Sequence, residues 1–284
     1  MASLGTVAIV GPGLIGGSIG LALQHRRLAS RVIGVSRRQA TSDRAMQSRV
    51  VTQATIDLAQ GVAEADLVVV CTPVGQVSDL VLRAARACPQ HCLITDAGST
   101  KAGIIERIEE SLPTGTGSAR FVGSHPLAGG HCAGPEAARA DLLEGQTVVV
   151  TPTENTPEEA LTQAQQFWTS LGAVVTTMSP AEHDAAVAHT SHLPHVLASA
   201  LAASTPEGLL GLCAGGWRDT TRVAGGSAGL WCDILLDNRE CVLSALHSFD
   251  DALARLRAAI AAADRDAICR ELEEGKLRRD ALGS

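Results

Sequence analysis

His125, in the run Gly123-Ser124-His125-Pro126, is the residue best suited to acid–base chemistry in this sequence. Neutral imidazole accepts a proton near physiological pH, as the removal of hydride from an alcohol requires. Two further runs bring polar groups to places where apolar, strand-like segments end: Cys71-Thr72-Pro73 and Asp96-Ala97-Gly98-Ser99-Thr100-Lys101. From the second, Ser99 could hold His125 or a substrate through a hydrogen bond. A His that follows a strand serves structure as readily as catalysis, and both readings stand at this point. His189, His192 and His195 recur at steps of three, which places them on one helix face. No carboxylate or Cys completes a ligand set beside them, so no metal site is expected. Arg222 lies between Trp217 and a Gly-rich stretch, 223–229, that precedes Trp231. Facing a cleft, its guanidinium would clamp a carboxylate; on the open surface it would bind nothing in particular.

Gly11-Pro12-Gly13-Leu14-Ile15-Gly16 follows the opening apolar run, Thr6 to Val10, and leads into a helical pattern. Such a turn brings backbone amides to a diphosphate at a helix N-terminus. Its first glycine makes the turn, the second admits the phosphates, and the third lets helix and strand pack. The motif alone is a weak signal, and a Gly-rich turn without ligand is the alternative; the strand–turn–helix context favours a dinucleotide. The second strand then ends in Ser36-Arg37-Arg38, with no acidic residue before Asp43. An NAD-specific site places Asp or Glu there for the ribose 2′-hydroxyl. A hydroxyl and two guanidiniums would instead hold a 2′-phosphate, so NADP is the expected cofactor unless the two Arg are merely solvated.

The elements that must position these groups are legible as pattern. Apolar, β-branched runs at 7–10, 32–35, 67–71, 92–95, 121–122, 147–150 and 173–177 alternate with helical stretches such as 157–171. Buried runs separated by helices predict an α/β fold, a Rossmann-like, mostly parallel sheet covered on both faces. After Met178 the strand-like runs stop. Ser179, Pro180 and Glu182 read as a helix cap, first-turn proline and capping-box partner. Val242, Leu246, Phe249, Leu253, Leu256 and Ile260 mark one face of a long helix, and a last helix is expected over 266–282. The predicted organisation is a dinucleotide-binding domain, 1–178, followed by an all-helical substrate and dimerisation domain, 179–284.

Composition narrows the function classes. The chain has 284 residues, a formal charge of −7, 45% hydrophobic residues but only 2% aromatic ones, and no Tyr. An acidic balance provides no field for releasing phosphate counterions, so no nucleic-acid partner is expected. Aliphatic side chains must supply the packing. The eight cysteines form no CxxC pair and read as small buried hydrophobes in a reducing compartment. Neither a secretory leader nor a long apolar segment is apparent, so a cytoplasmic location without membrane insertion is expected.

Taken together, the motifs VAIVGPGLIGGSIG, VVVCTPV, DAGSTK, GSHPLAGG, HTSHLPHVLASAL and GGWRDTTR followed by LWCDIL resemble the prephenate/arogenate dehydrogenase family over nearly the whole chain. The resemblance implies a Rossmann-like domain, a helical domain that joins two subunits into a homodimer, and oxidative decarboxylation of a cyclohexadienol. It further implies that His125 accepts the hydroxyl proton, Ser99 hydrogen-bonds the reacting group and Arg222 binds a substrate carboxylate. On the same basis His195 and His192 shape the pocket, Trp231 lies beside it, and Thr72 and Pro73 run along the cofactor. Some members carry an acidic residue shortly after the catalytic His-Pro, where this chain has His131. The NADP-type second strand and short length resemble the arogenate-specific branch, with prephenate, or both substrates, as the alternative. A β-hydroxyacid dehydrogenase would need a Lys early in the helical part, where this chain has none: its only two are Lys101 and Lys276. An NADP-sensing protein would need an effector module, for which no helix-turn-helix or basic patch is apparent.

Overall fold

Val- and Ile-rich runs without polar alternation belong in the middle of a sheet buried on both faces, and that is where they lie. The computed structural model describes residues 4–112, 120–130 and 133–283. Its eight strands are β1 (Thr6–Val10), β2 (Arg31–Val35), β3 (Gln53–Thr55), β4 (Leu67–Val70), β5 (Leu93–Asp96), β6 (Arg120–Pro126), β7 (Thr147–Thr151) and β8 (Val174–Thr177). They form one sheet in the order β3-β2-β1-β4-β5-β6-β7-β8. Helices α1 (Leu14–His25), α2 (Gln39–Gln47), α3 (Leu58–Val62), α4 (Val74–Ala87), α5 (Ala102–Ser111) and α6 (Glu158–Ser170) connect and cover them. One core layer packs Ile9, Val69, Val148, Phe167 and Trp168, and the layer on the other face packs Val68, Val70, Val77, Ile94 and Ile104.

Two strand features depart from the pattern read in the sequence. β3 was not expected: it is a three-residue, mostly polar edge strand whose pairing with β2 comes from the fold. β7 runs antiparallel to β6, whereas every other pairing is parallel. Between β6 and β7 the described chain forms only a short 3-10 turn, Pro135–Ala137, and no crossover helix, so the return is antiparallel. This connection rests on α1, where the Arg139 amide donates to Ser18 Oγ at 3.0 Å.

After β8 every described element is helical: α7 (Pro180–Val187), α8 (Leu193–Ser204), α9 (Gly215–Thr221), α10 (Ala228–Asp237), α11 (Arg239–Ala261) and α12 (Arg265–Asp280). The expected cap at Ser179 is present as a full capping box with Glu182. The stretch 223–229, read as a loop, is largely ordered into a 3-10 turn, Arg222–Gly225, and the start of α10. On α11, Val242 is buried but Leu253 and Ile260 are exposed, so the predicted apolar face is only partly covered within the chain. The cysteines also depart from expectation. Among the described residues only Cys92 is fully buried, while Cys232 and Cys269, on the outer helices, are exposed. No helix among the described residues is long and apolar enough to cross a membrane.

Candidate active site

The strand order reverses direction between β1 and β4, and the crevice at their carboxyl ends is where an open α/β sheet receives a ligand. Gly11 leaves β1 with φ +90, and a side chain on it would lie 2.6 Å from the Cys71 carbonyl oxygen on the far side of the crevice. Gly16 and Gly20 are closed against the Gly11 and Val50 carbonyls respectively, which lets α1 lie close to its neighbours. Gly13, by contrast, has nothing within 4 Å of where a side chain would begin. That open face sits at the N-terminus of α1, where amides and helix dipole favour phosphate.

Two cavities meet at this turn. The first, of about 450 Å³, lies beside the ends of β1 and β2 and is lined by Gly11, Ser36, Arg37, Ile56, Leu58 and Arg83, among others. The second, of about 400 Å³, is lined by Gly13, Leu14, Ile15, Pro73, Ser99 and His125, among others. Thr72 borders both. Its hydroxyl and that of Ser36 are buried without a hydrogen-bond partner, a costly state that a ligand in these cavities can relieve. The residues present therefore fit a dinucleotide laid across the turn. Arg37 faces the first cavity; Arg38 stands at the N-cap position of α2, makes no side-chain capping bond and is outside that lining.

His125 is held from behind by a chain of hydrogen bonds that its sequence context did not reveal. Its Nδ1 lies 2.9 Å from His183 Nε2, and His183 Nδ1 lies 2.7 Å from Asp184 Oδ1. Asp184 also accepts the backbone N–H groups of Lys101 and Ala102, each at 2.8 Å, and so caps α5 from α7. A carboxylate can only accept, so His183 carries its proton on Nδ1 and offers the Nε2 lone pair to His125 Nδ1–H. That leaves the His125 Nε2 lone pair free. Burial above all, with the nearby positive charge of Lys101, pushes the His125 pKa well below the ordinary histidine value. The imidazole is neutral at physiological pH and able to accept a proton.

The loops around His125 share one buried carboxylate. Asp96 accepts from the Ser124 amide at 3.0 Å and the Gly98 amide at 2.8 Å, and pairs with Lys101; both ionic side chains are fully buried. The loop with Ser99 and the strand with His125 are thus tied to the same group. Ser124 Oγ takes the Trp168 indole N–H at 2.9 Å and bonds to Thr95, which fixes the strand from below. Ser99 shares the second cavity with His125, but the bond that orients the imidazole comes from His183. The signal for this was available in the adjacent pair His183-Asp184 just after a helix cap; nothing in the sequence indicated that α7 crosses the carboxyl edge of the sheet.

In the helical half His192, His195 and Trp231 pack together, and none of the three is in the lining of the second cavity. His195 stacks on Trp231 with ring centroids 3.6 Å apart and 11° between planes, and His192 meets the same indole edge-on. Gly226 touches this stack: a side chain on it would lie 2.7 Å from Trp231 Nε1. His192 Nδ1 is 3.2 Å from Asn238 Nδ2, while His195 Nδ1 is buried without a partner. Burial lowers the pKa of both, that of His192 to about 4. His189, expected on the same face, is exposed instead, because a π turn, Ala188–His192, breaks the helical register between them. Arg222 begins the 3-10 turn after α9 and is outside the lining of the second cavity, whereas Leu230, at the start of α10, is part of it. His131 lies outside the described residues. Among the described residues, no group of three or more His, Cys, Asp or Glu could hold a metal ion.

Comparison with known proteins gives this arrangement its context. The chain is 35% identical to a cyclohexadienyl dehydrogenase of Zymomonas mobilis, across 97% of this chain and 95% of that one. A prephenate dehydrogenase from A. aeolicus, solved in complex with hydroxyphenyl propionate and NAD+, superimposes with a TM-score of 0.91 at 30% identity, covering 99% of both chains. An arogenate dehydrogenase from Synechocystis superimposes with a TM-score of 0.82 at 30% identity, covering 98% of this chain and 99% of that one. Residues 19–177 match the family model described as the nucleotide-binding domain of prephenate dehydrogenase, and residues 179–274 match its dimerization domain. With a half-buried, back-braced imidazole beside a dinucleotide turn and both family models matched in order, the chain belongs to the prephenate dehydrogenase family of oxidoreductases.

Proposed function

We propose that this chain catalyses the NADP-dependent oxidative decarboxylation of arogenate to tyrosine, as a homodimer with a dinucleotide-binding domain over 1–178 and a helical substrate domain over 179–284. The observation that carries the reading is the His125–His183–Asp184 chain, which leaves a neutral imidazole nitrogen free beside the cavity that adjoins the glycine turn. When bound, the nicotinamide supplies the hydride acceptor. His125 takes the proton of the substrate hydroxyl as the ring carbon gains carbonyl character and the ring carboxylate leaves as carbon dioxide. It returns that proton to the phenolate once the ring is aromatic. Ser99 hydrogen-bonds the same hydroxyl. Asp184 keeps His183, and through it His125, in the one tautomer that leaves Nε2 free to act.

Gly11, Gly13, Leu14, Ile15, Gly16, Thr72 and Pro73 form the bed of the diphosphate and nicotinamide. The unpartnered His195 Nδ1 and the stacked Trp231 support a substrate-facing wall, with His192 behind them and Arg222 as a carboxylate clamp. Ser36 and Arg37 favour NADP, because the end of β2 offers a hydroxyl and a guanidinium where an NAD site offers a carboxylate. The A. aeolicus relative was solved with NAD+, and relatives named for prephenate and for cyclohexadienyl substrates make prephenate the second reading. Assaying arogenate and prephenate side by side with NADP and NAD, by the absorbance of the reduced nicotinamide, tests this. Fastest turnover with arogenate and NADP is expected; faster turnover with prephenate removes the substrate assignment, and faster turnover with NAD removes the cofactor assignment.

A further inference from the structure

The first cavity has a wall that the glycine motif and the end of β2 do not account for. One turn apart on α4, Asp79 and Arg83 line it together with Ser36 and Arg37. Ile56, Leu58 and Leu80 make the rest of this end an apolar slot suited to a flat adenine ring. A ribose next to such a ring would lie among four polar side chains, two of them guanidiniums from different elements and one a carboxylate.

We propose that the Asp79–Arg83 pair on α4 is a second determinant of whether the dinucleotide carries a 2′-phosphate. Arg83 Nη1 lies 3.4 Å from Asp79 Oδ2, and the two side chains are 55% and 71% exposed. A pair so long and so open to water contributes little stability, so Arg83 can leave Asp79 for a better anion at small cost. A phosphate offers such an anion, with more charge than a carboxylate and oxygens spaced for a guanidinium fork. Asp79 acts in the opposite sense: it repels a 2′-phosphate and accepts from a 2′-hydroxyl. Discrimination is thus a balance, with Arg37 and Arg83 against Asp79, and it rests on the reading of this cavity as the adenosine end of the cofactor site.

The test is calorimetric binding of NADP+ and of NAD+, without substrate, to the full chain and to R83A and D79N. These ligands differ only in the 2′-phosphate. R83A is expected to weaken NADP+ by about ten- to a hundredfold, the worth of one charge-assisted contact, and to leave NAD+ unchanged. D79N is expected to move the ratio the other way, in favour of NADP+. Equal weakening of both dinucleotides in R83A, or a ratio unmoved in D79N, overturns the proposal. A wild-type chain that binds NAD+ more tightly would defeat the NADP reading alone, since the opposed shifts in the two variants would still identify the pair as a determinant.

Discussion

The sheet half and the helical half of this chain close their apolar surfaces differently. In the sheet half large apolar side chains, among them Trp168, Phe167, Ile9, Leu23 and Ile94, are sealed within a single chain. In the helical half the buried apolar residues are mostly small, among them Ala188, Ala198, Ala245 and Val242, while Leu212, Leu236, Leu253, Ile260, Leu272 and Leu277 stand exposed. So much exposed aliphatic surface on one set of helices marks an interaction face. The contrast teaches a division of labour. The sheet half is complete as a scaffold and carries His125, while the helical half carries the His195–Trp231 stack and the surface on which a second copy would close.

The sharpest way to break that division is at His125. H125N is expected to lower kcat by about 10²- to 10⁴-fold, the usual worth of a general base, while nucleotide binding measured by calorimetry stays unchanged. Undiminished turnover would move the chemistry elsewhere. A smaller effect is expected where the helical half reaches across to the sheet. H183N removes the group that orients His125 and should reduce kcat/KM by about ten- to a hundredfold, the range for losing an orienting partner of an imidazole. H183N also replaces a buried ring against His125 with a smaller side chain and relieves part of the burial that depresses the His125 pKa, so that pKa rises and the acid limb of the pH profile should move to higher pH. A lowered rate with an unmoved acid limb would reduce His183 to a packing role.

The mildest test concerns the exposed face itself. Leu253 and Ile260 lie seven residues apart on α11, on the same side of the helix. Putting them into a dimer interface would contribute about 1.5–3 kcal/mol each, so L253D with I260D should convert the proposed dimer to monomer in sedimentation while NADP+ binding persists. A chain that sediments identically with and without these changes would place the interface on another face.

Much of the site was legible because its local rules are strong. Gly11, Gly13 and Gly16 mark a candidate phosphate turn by their spacing between a strand-like run and a helical pattern, and Ser179 with Glu182 announces a helix start, since both rest on local backbone geometry within a few residues. Other features were not legible. β3 exists only because β2 offers an open edge, and the antiparallel β7 follows from the absence of a crossover helix. His189 leaves the histidine face because one π turn shifts the register, which a spacing of three cannot announce. Arg38, at the N-cap position of α2, is outside the cavity lining, though its neighbour Arg37 is part of it.

By itself the sequence determined the order of the apolar strands and the helical second half, the glycine turn, and the presence of a histidine at a strand's carboxyl end, because short-range periodicity and glycine conformation encode these. Only the tertiary structure decided which nitrogen of His125 is free. Asp184, 59 residues further along, is brought against α5 by the packing of α7 on the sheet edge, and its carboxylate sets the tautomer of both rings. Proton direction depends on atoms a few ångströms apart, and sequence separation carries no information about that distance.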